Sequence, residues 1–107
     1  MVITPTENSD KNCIKKVECF WKSLGANVYF LKPDVHDRIL GFTSHLPHFL
    51  VFSLIETFIS QKNKKEMMKY FGTGFFDTTR IGKSNPEMWT DIFFSNKEVL
   101  VFWICEF

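Results

Sequence analysis

Apolar residues open the chain in two rhythms. Ile14, Val17, Phe20, Trp21 and Leu24 fall three and four apart, one stripe of a helix. Ser9 or Asp10 is placed to cap its start, and Gly25 to stop it. Before it, Val2-Ile3-Thr4 reads as the end of a buried strand closed by a Pro5-Thr6 turn. After it, NVYFL at 27–31 is a short strand rich in strand formers. Strand, helix, strand is the pattern of a parallel crossover unit. Two strands make no stable sheet alone, so this unit wants a larger sheet than the chain contains.

From Pro33, which suits a first helical turn, the pattern turns helical to about Ser60. FLVFSLI at 49–55 is apolar on nearly every side, as in a helix buried in a core. Pro47 cannot donate to the carbonyl of Thr43 and its ring crowds it, so the helix should bend between these residues. Residues 61–66 are polar, a turn or a continuation, and 67–71 a short helical turn stopped by Gly72. Residues 72–80, GTGFFDTTR, read as a loop with two glycines. Asn85 before Pro86 starts a helix that should carry Met88, Trp89, Ile92 and Phe93 inward and end in the apolar run 99–105. The fold expected is mainly α: a short β-α-β piece over 1–32, then a helical domain over 33–107 with a proline-kinked central helix.

Composition sets limits on this picture. With 107 residues there is room for one modest core, and thirteen phenylalanines and three tryptophans make the chain unusually aromatic. A net charge of +1 with scattered lysines argues against nucleic acid as the main partner. Lys62, Lys64 and Lys65 read as a solvated turn. Cys13, Cys19 and Cys105 lack metal-ligand spacing and, without a signal peptide, point to a reducing cytoplasm. The apolar runs fall short of the roughly 20 residues of a membrane span, so no membrane partner is expected.

The candidate chemistry concentrates at 36–48, HDRILGFTSHLPH, which holds all three histidines. His45 and His48, three apart, share one face and bracket the bend. They read either as a ligand-facing pair or as hydrogen-bonded core residues. Arg80, with its rigid fork of donors, is either a carboxylate anchor or the partner of Asp77 in an ion pair tying the loop down. Trp89 is an aromatic wall for a ring, or core. No third ligand completes a metal site around the histidines, and the chain has neither a G-x-G-x-x-G loop nor a serine elbow.

Together these pieces resemble the prephenate/arogenate dehydrogenase family of tyrosine biosynthesis. The resemblance rests on Thr4-Pro5-Thr6, His36-Asp37-Arg38, Ser44-His45-Leu46-Pro47-His48, Gly74-Phe75, Asp77-Thr78-Thr79-Arg80-Ile81, and Pro86-x-x-Trp89-x-Asp91-Ile92 with Asn96 downstream. It covers roughly residues 2–100; Phe76 departs from it, standing where the family commonly has a polar residue. It implies an NAD- or NADP-dependent oxidoreductase that oxidatively decarboxylates prephenate or arogenate, with an amino-terminal dinucleotide-binding domain and a helical carboxy-terminal domain through which it dimerises. By motif position, Arg80 would bind a substrate carboxylate, His48 would contact the substrate with His45 nearby, and Asp77 and Trp89 would line or gate the pocket. The geometric expectation is that Arg80 and His48 face one cavity.

On this resemblance, residues 1–32 are the last piece of a Rossmann-type domain and 33–107 a truncated helical domain. The dinucleotide loop and the proton-accepting histidine would lie upstream of Met1, so no catalytic residue is assigned here. The chain is then a cytoplasmic fragment, inactive alone and a homodimer when complete. A non-catalytic binding or dimerisation module, or an inert remnant, are the alternatives.

Overall fold

The computed structural model describes all 107 residues and divides them into two compact units, Met1–Ile39 and Leu40–Phe107. In the first, β1 (Val2–Ile3) and β2 (Tyr29–Phe30) pair in parallel, flanking α1 (Lys11–Ser23) in sequence. The expected crossover unit is present. Asp10 caps α1, its carboxylate accepting from the Cys13 N–H at 2.8 Å. That bond holds the Asp10 carboxyl below the usual aspartate range. Gly25 ends the turn after α1 at φ +79°, a conformation that costs other residues.

Helical structure then continues from Pro33 to Ile59, through α2 (Pro33–Leu40), a π turn at Gly41–His45, and α3 (Leu46–Ile59). Pro47 has no N–H to offer Thr43, and the turn before it widens: the Leu46 N–H reaches the Gly41 carbonyl, five residues back. Where the bend was expected, the helix carries this π turn.

The second unit adds α4 (Lys64–Met67) and a 3-10 turn to Tyr70, α5 (Thr73–Thr79) and a 3-10 turn at Arg80–Lys83, then α6 (Pro86–Ser95) and α7 (Lys97–Glu106). Three expectations need correcting here. Residues 72–80 are helical, not a loop. Gly72 is extended at the start of α5, and Phe75 stacks on Phe71 at 3.9 Å with Phe58 edge-on to both. Aromatic pairs worth roughly 0.5–1.5 kcal/mol each offset the roughly 1 kcal/mol that Gly74 costs inside a helix. The run from Pro86 is two helices, broken at Asn96, whose ψ of 33° leaves the helical region. And Met88 is 49 % exposed; of the residues expected inside, Trp89 alone is buried, with Ile92 and Phe93 partly so.

The core itself is small. Leu46, Val51, Trp89 and Leu100 are its buried apolar residues. Residues 49–55 were expected deep inside, yet only Val51 is buried there and Leu54 is exposed. One chain of this size has too little mass to cover both sides of such a helix. By length and composition alone the run Pro33–Ile59 would reach across a membrane, against the expectation from contiguous apolar runs. Its first half, however, carries Asp34, His36, Asp37 and Arg38.

Candidate functional site

The widened turn and Asn96 meet at the first cluster. His45 leaves the end of the π turn with its Nδ1 3.2 Å from the Asn96 side-chain nitrogen. His48, in the first turn of α3, has Nδ1 2.9 Å from the Ser44 carbonyl. A carbonyl only accepts, so His48 Nδ1 donates and its neutral form keeps the lone pair on Nε2. The His48 ring lies flat on Trp89, centroids 3.6 Å apart and 17° from parallel, while His45 meets the same indole edge-on at 6.2 Å. Phe93 backs the tryptophan at 5.6 Å and receives Phe49 and Phe52 from α3. Both imidazoles are half-buried and the indole is 7 % exposed, with its N–H unpartnered.

Gly41 makes this approach possible. A Cβ there would stand 2.6 Å from Val99 Cγ1, 3.3 Å from Trp103 Cδ1 and 3.5 Å from the Asn96 amide nitrogen. Only a bare backbone lets Val99 of α7 come this close to the π turn.

The second cluster lies around Arg80. A cleft of about 760 Å³ is lined by Leu46, Pro47, Leu50 and Val51 of α3, by Phe42 and Thr43 before them, and by Asp77, Thr78, Arg80, Ile81 and Phe107. Arg80 begins the 3-10 turn after α5, one turn beyond Asp77. Both are exposed, and the Arg80–Asp77 ion pair that their spacing allowed is not formed.

Of the five residues singled out in the sequence, the structure therefore joins His45, His48 and Trp89 in one cluster and Asp77 and Arg80 in another. Positions 46, 47, 50 and 51 face the cleft, and 48, 49 and 52 face Trp89 and Phe93. At 100° per residue these are opposite sides of α3. The cleft at Arg80 is lined by Leu46, Pro47, Leu50 and Val51 of α3 and not by His48. Two contributors were given no role from sequence: the Ser44 carbonyl, which carries no side-chain signal, and Asn96, whose partner is 51 residues away.

The residues present do not make a dinucleotide site. The crossover unit has two strands and the chain no glycine-rich phosphate loop, so no step through a nicotinamide cofactor is derived from this chain.

These features define a helical domain with an exposed apolar face and a half-open, anion-compatible cleft. Residues 32–106 match the family described as prephenate dehydrogenase, dimerization domain. The chain belongs to that family. It is 29 % identical over 103 residues to the cyclohexadienyl dehydrogenase of Zymomonas mobilis, covering 94 % of this chain and 35 % of that protein. Against the prephenate dehydrogenase of Bacillus subtilis it is 32 % identical over 101 residues, 94 % of this chain and 27 % of that one. Among solved structures it resembles prephenate dehydrogenase from A. aeolicus in complex with hydroxyphenyl propionate and NAD+, with a TM-score of 0.86 and 42 % identity over 96 % of this chain and 36 % of that chain. The chain thus spans about a quarter to just over a third of the length of these relatives.

Proposed function

We propose that this chain is the substrate-binding and dimer-forming part of a prephenate or arogenate dehydrogenase, an NAD- or NADP-dependent oxidoreductase of tyrosine biosynthesis acting in the cytoplasm. In the complete enzyme a nicotinamide cofactor would supply the oxidising power for the oxidative decarboxylation, held by residues outside this chain's own site. The dinucleotide loop and the acceptor of the hydroxyl proton would lie outside these residues, which would not turn over substrate by themselves. Residues 1–32 then close the dinucleotide-binding domain and 33–107 begin the helical one. The observation that carries the reading is Arg80: an exposed guanidinium with no ion-pair partner, at the wall of an otherwise mainly apolar cleft large enough for a ring acid. A charge left unpaired against apolar walls favours an anionic ligand.

In this role Arg80 binds a substrate carboxylate, His48 and His45 contact the same molecule, and Asp77 and Trp89 line the pocket. The Arg80 cleft and the His48 ring lie on opposite sides of α3, and in this reading a second copy supplies one of the two. A homodimer is accordingly part of the proposal, with Arg80 of one protomer completing the histidine cluster of its partner. The exposed apolar residues Leu54, Ile59, Val101 and Phe102 support such a pairing.

The test is calorimetric titration with hydroxyphenyl propionate. Binding by the wild-type chain should weaken in Arg80→Ala by roughly 10- to 150-fold, the loss of one charge-assisted bond. Equal affinities would remove Arg80 from the role. No binding by the wild type would favour the second reading, a dimerisation module without its own acid site, which the match of residues 32–106 to a dimerization domain supports.

A further inference from the structure

Asp77 and Arg80 carry opposite formal charges three residues apart, and both line the cleft beside α3. Helical residues at that spacing are neighbours, with Cβ atoms roughly 5–6 Å apart. Both side chains are nevertheless exposed and form no ion pair with each other. Asp77 is the one acidic side chain on the cleft and Arg80 the one basic side chain, while the α3 wall of Leu46, Pro47, Leu50 and Val51 is apolar.

In water an exposed pair of this kind contributes little, so leaving it open costs little. A ligand in the cleft changes the balance, because a covered charge without a partner is expensive. An acid whose carboxylate sat on Arg80 would place two carboxylates side by side and leave Asp77 without a donor. An α-amino acid brings its own ammonium on the carbon next to its carboxylate. Each end of such a ligand meets the opposite charge.

We propose that the cleft takes an α-amino acid rather than an α-keto acid, with Arg80 holding its carboxylate, Asp77 its ammonium and the α3 wall its ring. The inference rests on the acid-binding reading given above and narrows it. Of the two ring acids, arogenate carries an ammonium where prephenate carries a keto oxygen. Asp77 is then a specificity residue, selecting by charge what Arg80 anchors.

The experiment is calorimetric titration of the chain with L-tyrosine, hydroxyphenyl propionate and hydroxyphenylpyruvate, which share ring and carboxylate and differ at the carbon between them. The wild type should bind tyrosine at least tenfold more tightly than either of the other two. Asp77→Asn removes the charge at an exposed position without changing the size of the side chain. It should abolish that preference, weakening tyrosine and strengthening the two acids that lack an amine. A residue that only shaped the cleft would move all three together. Equal binding of the three by the wild type overturns the proposal while the acid-binding reading stands, and it needs no variant should Asp77→Asn fold poorly. A preference that survives in folded Asp77→Asn overturns it as well, since another group then holds the ammonium. Binding of none of the three overturns the acid-binding reading and this inference with it.

Discussion

Replacing Gly41 by alanine tests the packing of α7 on the π turn. The added methyl would sit 2.6 Å from Val99 Cγ1 and 3.3 Å from Trp103 Cδ1. Valine is short and stiff about its first side-chain bond, so the helix α7 must move instead of a side chain. Overpacking of this kind costs about 1–3 kcal/mol, against which alanine recovers up to about 1 kcal/mol of helix propensity. With a 2.6 Å approach the upper part of that range applies, and the net expectation is a loss of about 1–2 kcal/mol, much of a small domain's stability. Gly82→Ala is the control. Its methyl would press on Ile55 Cδ1, the free end of a flexible side chain, with Val51 Cγ1 next at 3.1 Å. It should cost less. Urea unfolding followed by tryptophan fluorescence, at unchanged slope, gives both values. Val99→Ala in the Gly41→Ala background should recover part of the loss, since the two sites are coupled. The reasoning is refuted if Gly41→Ala is as stable as the wild type, or if Gly82→Ala is the worse of the two.

Two further outcomes follow from the caps. Asn85 accepts from the Met88 N–H at 3.0 Å, so Asn85→Ala should cost about 1 kcal/mol in the same unfolding assay, and Asn85→Asp much less. Asp10 has its carboxyl held low by the Cys13 N–H. A depressed folded value means the stabilisation of α1 is complete above the unfolded aspartate value, near pH 4, and fades as pH falls through the folded one. Asn at position 10 keeps the cap without the charge, so the acid limb of α1 helicity, read by circular dichroism, should flatten in Asp10→Asn; an unchanged acid limb would remove Asp10 as its source.

What could be read from the sequence was local. The cap at Asp10, the stop at Gly25, the strand pair around α1, the disturbance before Pro47 and the start at Asn85 each depend on residues within a few positions. The helix at Thr73–Thr79 was hidden because Phe58 and Phe71 stabilise it from outside the segment. Burial of α3 was overestimated because periodicity says which side is apolar, not whether this chain supplies a cover. The candidate residues were legible by type and by motif. Their grouping was not: His48 and Arg80 sit on elements whose facing depends on how α3 is flanked, and His45 is held from 51 residues away.

The most direct measurement is of acid binding in mixed dimers of Arg80→Ala and His48→Ala chains. Each variant alone should bind hydroxyphenyl propionate weakly or not at all. Mixing them in equal amounts, with exchange of subunits, should return wild-type affinity at about a quarter of the sites, since half the dimers are mixed and each holds one intact site. Mixtures that bind no better than the separate variants would contradict the shared site.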